Sequence, residues 1–301
     1  MSYLIDAACG CCTGRIRSNN EDNFYFCGDI LEQENSGLER PVCRKLLLDR
    51  EMCFFVFDGM GGEEAGETAA FLCARTARQH WEGPNGPDTS VSQRLEDLCR
   101  KMNEQVCREM QTLKCGRMGS TMVGLLFRRD EVYACNIGDS RAFRLRDNEL
   151  MQLSTDDTDF IPLPGMETPR RKPRLSQHMG IFPDELTLEP HIAKGGLRAG
   201  DQYLICSDGL TDMVTNSEIC TIMKEHQDAV SGVDALIDLA MAHGGRDNTT
   251  VILCRVEEID EMERGYQNER DTDMARLGYR AEHWFRRIWE GLRNQKNGQH
   301  R

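Results

Sequence analysis

The chain has 301 residues, of which 39% are hydrophobic, and it can therefore bury one large core or a core with a small appendage. Its net charge of -13 argues against broad nucleic-acid binding, because a phosphate backbone would be repelled. The amino-terminal residues lack a basic segment followed by a long apolar run, and no stretch has the length of a membrane span. We therefore expect a soluble, cytoplasmic protein with no nucleic-acid partner.

The chain contains fourteen cysteines, a number that in a short secreted protein would indicate a disulfide framework. In a long chain without an export signal, reduced thiols are the better interpretation. The cluster Cys9, Cys11 and Cys12 resembles part of a zinc ligand set, but no second Cys/His pair stands at a spacing that completes four ligands. Small buried side chains are the favoured interpretation.

Apolar segments rich in β-branched or aromatic residues predict strands at 23–27, 52–57, 120–127, 132–137, 142–145, 202–206 and 250–256. Apolar residues spaced by three and four predict helices at 64–81, 91–113, 217–226 and 232–243. Runs of strands with helices inserted in pairs favour an α+β fold. We expect four layers, α-β-β-α, with a central, mostly antiparallel β-sandwich flanked by helix pairs.

Two segments fall outside this pattern. Residues 157–189 contain five prolines and no sustained periodicity, which predicts a long surface loop beside the site, a flap that could touch a substrate. Residues 1–257 would form the main domain, and residues 258–301 an acidic linker followed by an amphipathic helix with a stripe of apolar residues. That helix could pack on its own domain, which we favour because an exposed stripe would promote aggregation, or dock on a partner.

Aspartates stand next to glycine or asparagine in five short segments, four of them at the end of a predicted strand. The segments are Glu21-Asp22, Asp58-Gly59-Met60-Gly61-Gly62, Gly138-Asp139-Ser140, Ser207-Asp208-Gly209 and Asp247-Asn248. Hard cations such as Mg²⁺ and Mn²⁺ prefer carboxylate, carbonyl and water oxygens, and strand ends hold such groups rigidly. Each segment alone is better explained as a turn.

In chain order, however, the segments resemble the metal-dependent protein phosphatase family, the type 2C serine/threonine phosphatases, and especially their bacterial members. Six motifs across 14–257 carry the resemblance: Arg17-Ser18-Asn19-Asn20-Glu21-Asp22, Phe55-Val56-Phe57-Asp58-Gly59-Met60-Gly61-Gly62, Gly119-Ser120-Thr121, Asn136-Ile137-Gly138-Asp139-Ser140-Arg141, Ser207-Asp208-Gly209-Leu210-Thr211-Asp212 and Asp247-Asn248-Thr249-Thr250-Val251. Chance explains one of these motifs easily and all six in this order hardly at all.

The resemblance implies a site with two Mn²⁺ or Mg²⁺ ions and a role for each motif. Asp58 would bridge the two ions, with the Gly59 carbonyl on one and Asp208 and Asp247 on the other. Asp22, with Glu21 beside it, would reach the second ion largely through water, and Asp139 with Asp208 would hold a third, weaker ion. Arg17 takes the phosphate-binding position, since a guanidinium can grip two phosphoryl oxygens.

The implied reaction is direct hydrolysis of phosphoserine and phosphothreonine by a water that bridges the two ions. Many eukaryotic members carry a histidine at position 60 that can protonate the leaving group, whereas Met60 cannot donate a proton. Water at the metals must then act as the acid.

Flap residues are the candidates for contact with the substrate. Arg174, next to Arg170-Arg171-Lys172, could receive an acidic or phosphorylated segment, and His178 lies where the flap leads into the next strand. The partners would be phosphorylated targets of serine/threonine kinases, with the kinase itself as one candidate. Two alternatives stay open: the same chemistry on a small partner-switching regulatory protein, or a catalytically silent regulatory relative.

Overall fold

A computed structural model describes residues 2–61, 65–82, 90–114, 116–160 and 173–259 of the chain. Residues 4–257 form one compact unit. The predicted carboxy-terminal helix and the basic cluster Arg170-Arg171-Lys172 lie outside the described residues. Within the described part, no helix is long and apolar enough to cross a membrane.

The structure contains twelve strands and five helices in its described residues. The strands are β1 (Ser2–Cys12), β2 (Asp22–Phe26), β3 (Val42–Leu47), β4 (Met52–Gly61), β5 (Met118–Ser120), β6 (Met122–Arg128), β7 (Glu131–Ile137), β8 (Arg141–Arg146), β9 (Glu149–Gln152), β10 (His191–Gly196), β11 (Gln202–Cys206) and β12 (Thr249–Ile259). The helices are α1 (Gly66–Glu82), α2 (Val91–Leu113), α3 (Asp208–Thr211), α4 (Asn216–Glu225) and α5 (Ala229–Ala242).

The strands form two sheets that face each other. The first has the order β3-β1-β12-β11-β8-β9, and the second has the order β10-β7-β6-β4-β2, with β5 paired to the end of β4. Helices α1 and α2 cover the outer face of the second sheet, and α3, α4 and α5 cover the first. The predicted α+β fold with four layers, α-β-β-α, is thereby confirmed.

Aromatic side chains fill the space between the two sheets. The ring centroids of Phe26 and Phe54 lie 5.3 Å apart, and Phe54 contacts Phe127 at 6.0 Å. Phe127 in turn meets Tyr203 of the other sheet at 5.5 Å with an edge-on geometry, an arrangement that aromatic pairs prefer. Because both faces of the central strands are covered, the segment 52–57 is buried throughout, which explains its unbroken apolar sequence.

Several elements differ from the sequence-based prediction. Strand β1 was not predicted, since its alanines, cysteines and glycine have low strand propensity, yet seven of its first nine residues are buried. Strand β3 was missed because it is a short strand at the edge of its sheet, with the charged, exposed residues Arg44 and Lys45 at its centre. Strand β10, which ends with Gly195 and Gly196, was also not predicted.

The cysteines agree with the interpretation as reduced thiols on small side chains. Thirteen of the fourteen lie in the described residues, and all thirteen are free thiols. Cys9 and Cys11 are buried in β1, and burial raises the pKa of both thiols. They are small core side chains rather than half of a zinc site.

Helix α2 has the same bounds as its prediction, because its start and its buried face are both explicit in the sequence. Ser90 caps its first turn by accepting a hydrogen bond from the Gln93 backbone N–H. The Gln93 side-chain oxygen in turn accepts from the Ser90 backbone N–H, which completes a capping box. Leu98 is fully buried against α1 and the second sheet, whereas Leu113, at the end of the same helix, is 52% exposed.

Replacing Leu98 by alanine should lower the free energy of unfolding by about 2–5 kcal/mol, because it removes packed methyl groups and leaves a cavity. The matched Leu113→Ala variant should change it by less than about 1 kcal/mol, since that side chain is already in water. Urea denaturation of both variants measures the difference. Equal losses would show that α2 does not pack by the face described.

Candidate active site

Asp22 and Asp58 lie directly opposite each other. Asp22 is the first residue of β2, Asp58 lies within β4, and the antiparallel register pairs the two positions. The sequence predicted that Asp58 follows the end of a strand over 52–57. Strand β4 instead continues to Gly61, so Asp58 projects from inside the strand. Like charges at directly opposed positions repel each other, so this pair is unfavourable unless something compensates for it.

The side chain of Asp22 is buried and accepts two hydrogen bonds from the other sheet. Ser207 Oγ, just after β11, donates at 2.8 Å, and Thr250 Oγ1, in β12, donates at 2.7 Å to the same carboxylate oxygen. Ser207 Oγ also accepts from the Thr250 backbone N–H at 2.9 Å. Asp22 thus links the two sheets at the end where the acidic motifs gather.

Asp208 and Asp247 are brought together by two loops in close contact. A Cβ atom on Gly209 would lie 1.9 Å from the backbone oxygen of Asn248, so only glycine permits this approach. Asp208 starts the short helix α3, while Asp247 precedes β12.

Asp139 follows β7 after Gly138, whose φ of +99° favours glycine. Thr121 connects this loop to Asp58. Its hydroxyl lies 2.7 Å from Ser140 Oγ and accepts from the Asp58 backbone N–H at 3.2 Å, and its own N–H donates to the Asp58 carbonyl at 2.9 Å. Thr121 therefore fixes two of the acidic segments relative to each other.

The electrostatics of Asp58 show that all the acidic segments converge. Burial raises the pKa of Asp58 well above its ordinary value, and repulsion from Asp208, Asp22, Asp139 and Asp247 raises it further. Burial is also the main cause that raises the pKa of Asp22 to about 7, opposed by the hydrogen bonds from Thr250 and Ser207. The five aspartates predicted from the sequence therefore form one cluster.

Gly59 and Glu21 lie beside the cluster, in close contact with each other and with the start of α1. The Gly59 N–H donates to the Glu21 carbonyl at 3.0 Å, and a Cβ on Gly59 would lie 2.1 Å from the Gly66 oxygen at the start of α1. The half-buried Glu21 carboxylate lies against Gly66, and burial followed by repulsion from Glu67 raises its pKa.

Asn248, which the sequence analysis assigned no role, holds the loop that carries Arg17. Its Nδ2 donates to the carbonyls of Thr13 and Asn19 at 2.8 Å each, and its Oδ1 accepts from the Glu21 N–H at 2.7 Å. An asparagine side chain can satisfy three backbone groups at once, so Asn248 in the motif Asp247-Asn248 was a candidate for such a structural role. Which groups it satisfies was not visible without the fold.

Arg17 lies at the edge of the cluster and forms an ion pair with Asp247 at 2.6 Å. Half of its side chain remains exposed. The hydrogen bond to Asp247 is the main cause that raises the pKa of Arg17. Only one guanidinium nitrogen makes this contact, so further N–H donors remain on the same planar group.

The two flap candidates make their hydrogen bonds elsewhere. The Arg174 backbone N–H donates to the Asp159 carboxylate at 2.9 Å, while its side chain is exposed. His178 Nδ1 lies 2.8 Å from the Met179 carbonyl, and the ring packs against Gly119 of β5. Within the described residues, neither side chain has a hydrogen bond to the aspartate cluster.

Asp157, another residue that the sequence analysis did not single out, anchors the base of the flap. Its buried carboxylate accepts from the Gly138 N–H at 2.9 Å, from Gln177 Nε2 at 2.9 Å and from His191 Nε2 at 2.8 Å. The Ser176 N–H also donates to the Asp157 carbonyl at 2.9 Å. The flap base is thereby joined to the Asp139 loop and to β10.

The chemistry of this donor set fits divalent cations. All its side-chain ligands are carboxylates, which hard cations prefer, and their mutual repulsion provides the driving force for binding positive charge. As the side chains stand, however, no group of three His, Cys, Asp or Glu residues in the described part of the chain surrounds a common point. Bound cations would have to draw the carboxylates inward and share Asp247 with Arg17.

Comparisons with known proteins identify the family of the chain. A family model described as protein phosphatase 2C matches residues 45–243, more than half of the chain. The serine/threonine protein phosphatase PstP of Mycobacterium tuberculosis is 32% identical over 254 residues, covering 82% of this chain. The match spans only 44% of the length of PstP. The serine/threonine phosphatase stp of Listeria welshimeri is 29% identical, with 80% of this chain and 91% of that protein covered.

Solved structures show the same likeness. The crystal structure of the Mycobacterium tuberculosis phosphatase PstP matches with a TM-score of 0.68 at 28% identity, covering 85% of this chain and 100% of that one. The catalytic domain of PstP in complex with two manganese ions gives the same values. The chain therefore belongs to the protein phosphatase 2C family, as the order of its motifs predicts.

The raised carboxyl pKa values predict how stability depends on pH without metal. An unfolded aspartate titrates near pH 4, so between about pH 4 and about pH 7 the folded Asp22 holds a proton that the unfolded chain has released. Stability should therefore fall as the pH rises through this window, and Asp58 adds to the effect in the same direction. Thermal melting in chelator at about pH 5 and about pH 8 measures it.

Mn²⁺ or Mg²⁺ should restore the lost stability, and more at the higher pH, where the carboxylates are ionised. Asp22→Asn should flatten the dependence on pH, whereas Asp238→Asn, an exposed change on α5, should leave it as in the wild type. A melting temperature that rises with pH in chelator would contradict the described cluster.

Proposed function

We propose that this chain hydrolyses phosphoserine and phosphothreonine in proteins, with its aspartate cluster holding two divalent cations. Five aspartates converge at one end of the sandwich, and Arg17 lies at the edge of their cluster. This observation carries the proposal, and the five residues are Asp22, Asp58, Asp139, Asp208 and Asp247. The names of the relatives support it, since they are called serine/threonine phosphatases.

The proposed ligand assignment is the one that the resemblance to the family implies, and the contacts of the acidic residues support it. Asp58, which lies centrally among the other carboxylates, would bridge the two cations, and the Gly59 carbonyl would bind one of them. Asp208 and Asp247, held together by the contact of Gly209 with Asn248, would hold the other. When bound, such a cation pair supplies a water of lowered pKa and neutralises charge on the phosphoryl group.

The remaining acidic residues would act less directly. Asp22, one of whose carboxylate oxygens already accepts from Ser207 and Thr250, would act through water, and Glu21 would do the same from its position beside Gly66. Asp139, tied to Asp58 through Thr121, would join Asp208 at a third, weaker site. Mn²⁺ and Mg²⁺ both suit an all-oxygen donor set, and the PstP structure with two manganese ions supports a pair.

Arg17 would bind the phosphate of the substrate. Its contact with Asp247 orients the guanidinium over the cluster and leaves donors for two phosphoryl oxygens. The exposure of its side chain gives a bulky phosphoprotein access to it. Arg174 and His178 would act later, as flap residues that contact the protein around the phosphate.

The substrates would be phosphorylated targets of serine/threonine kinases, including the kinase itself. The free thiols of the described cysteines support a reducing compartment such as the cytoplasm. The carboxy-terminal helix predicted from the sequence would pack on its own domain or dock on a partner.

Alanine at Asp58 or Asp208 should reduce the turnover of a phosphothreonine peptide by at least about a hundredfold, because each change removes a proposed cation ligand. Activity of the wild type should require Mn²⁺ or Mg²⁺ and vanish in chelator. Asp238→Ala, which removes an exposed carboxylate on α5, is the matched control and should keep full activity. Turnover in chelator, or full activity of both site variants, would refute the assignment.

Met60 determines how the leaving alkoxide is protonated. It lies in β4 opposite Gly119, two residues after Asp58, and its thioether has no proton to donate, so water at the site must act as the acid. Met60→His should therefore alter the pH dependence and turnover for a phosphothreonine peptide, which has a poor leaving group. It should change p-nitrophenyl phosphate hydrolysis much less, because nitrophenolate leaves without a proton.

Met60→Gln, which is polar but has no titratable proton, is the control for this experiment. It should leave both pH profiles as in the wild type. An unchanged peptide profile in Met60→His would show that position 60 does not face the leaving group.

A further inference from the structure

Two loops are bonded to each other on the Arg17 side of the site. The Arg15 backbone N–H donates to the Gly245 carbonyl at 2.7 Å, and Arg17 pairs with Asp247 at 2.6 Å. A Cβ on Gly14 would lie 2.4 Å from the Asp247 backbone oxygen, so the loops meet without space between them. The side chains that these loops carry are therefore presented from a fixed base.

Three of those side chains point away from the protein. Ile16 is 71% exposed, the highest value among the exposed large hydrophobic residues of the described chain, and Arg15 and Arg246 are exposed on either side of the loop contact. We call Arg15, Ile16 and Arg246 the rim. The Arg15 stem passes over Gly245, where a Cβ would lie 3.2 Å from Arg15 Cγ.

The charges of the rim are uncompensated, although the chain as a whole is acidic. Asp and Glu outnumber Lys and Arg by 50 to 37, yet neither Arg15 nor Arg246 forms an ion pair with any carboxylate of the described residues. Asp247, the carboxylate in the same loop pair, is already taken by Arg17. Within the described residues, no carboxylate pairs with these two exposed guanidinium groups, which lie on the two loops that also carry Arg17 and Asp247.

Carboxylates lie beside the residues that follow Arg17 in the chain. Asn19 Nδ2 donates to Glu67 Oε2 at 3.1 Å, and Glu67 is near enough to Glu21 to raise the pKa of that carboxyl. Positive charge therefore precedes Arg17 in the chain, at Arg15, and negative charge lies beside the residues that follow it, at Glu21 and Glu67. Such a gradient orients a ligand and discriminates between ligands of different charge.

We propose that the rim selects phosphorylated segments that carry acidic residues beside the phosphoserine or phosphothreonine, with Ile16 contacting an apolar side chain of the same segment. The inference rests on the proposed function, because Arg17 must hold the phosphate for the rim to read its neighbours. Guanidinium groups suit this role, since they bind carboxylates in a planar, two-point geometry. Arg15 and Arg246 touch neither the phosphate nor the cations.

The test compares kcat/KM for two phosphothreonine peptides that differ only in having glutamate or glutamine on both sides of the phosphorylated residue. The wild type should prefer the glutamate peptide, and each of Arg15→Glu and Arg246→Glu should reduce that preference by about two- to fivefold, the range of exposed ion pairs. The double variant should prefer the glutamine peptide. The preference of the wild type should shrink in about 0.5 M salt, which screens exposed charges.

Two controls separate selection from damage to the enzyme. Hydrolysis of p-nitrophenyl phosphate, which has no flanking residues, should be unchanged in the rim variants. Arg108→Glu, the same charge change at an exposed position of α2, should leave the peptide preference as in the wild type. Ile16→Ser should raise KM for both peptides equally and leave p-nitrophenyl phosphate unaffected.

An unchanged glutamate preference in the double variant would overturn the inference. So would an equal loss on both peptides and on p-nitrophenyl phosphate, which would make the rim part of the catalytic framework. An equal gain on both peptides would overturn it too, because the rim would then be holding an acidic segment of its own chain. A wild type that hydrolyses no phosphoester defeats the proposed function as well, whereas hydrolysis without a glutamate preference defeats the rim alone.

Discussion

The repulsion between carboxylates gathered at one end of the sandwich is the constraint on which the rest of the site depends. Asp22 and Asp58 face each other across neighbouring strands, and Asp139, Asp208 and Asp247 add to the same field. Such an arrangement persists only if the surrounding structure holds it. The inter-sheet hydrogen bonds of Asp22, the aromatic layer below it and the paired loops above it together provide that support.

The contacts that hold the carboxylates in place come from uncharged polar residues. Thr121, Ser207 and Asn248 carry no charge, yet each joins two segments that are distant in the chain. Cys11 extends this layer, since its sulfur lies 3.1 Å from Thr250 Oγ1 and 3.2 Å from Asn20 Nδ2. Neutral hydrogen-bonding groups thus define the positions of the carboxylates.

The sequence predicted the layers from local periodicity and the acidic residues from the order of their motifs, since each acidic segment alone is better explained as a turn. The periodicity and capping box of α2 gave its bounds, and the aspartates with their neighbouring glycines indicated the cluster. Strands β1 and β3 could not be recognised, since one owes its burial to tertiary packing and the other is a short edge strand with charged, exposed residues at its centre. The pairing of Arg17 with Asp247 and the contacts of Asp157 and Asn248 join residues far apart in the chain, and no local pattern reveals such pairs.

The contacts of Asp157 have a further consequence for how this scaffold can diversify. One carboxylate ties the flap base to the Asp139 loop, to Gln177 and to β10, so the ends of the intervening stretch are held together whatever its length. Each doubling of a loop whose ends are already joined costs only about 0.6 kcal/mol of closure entropy. Insertions and exchanges between the anchors are therefore tolerated thermodynamically. This stretch of the chain can differ in length and sequence while the residues that hold its ends stay the same.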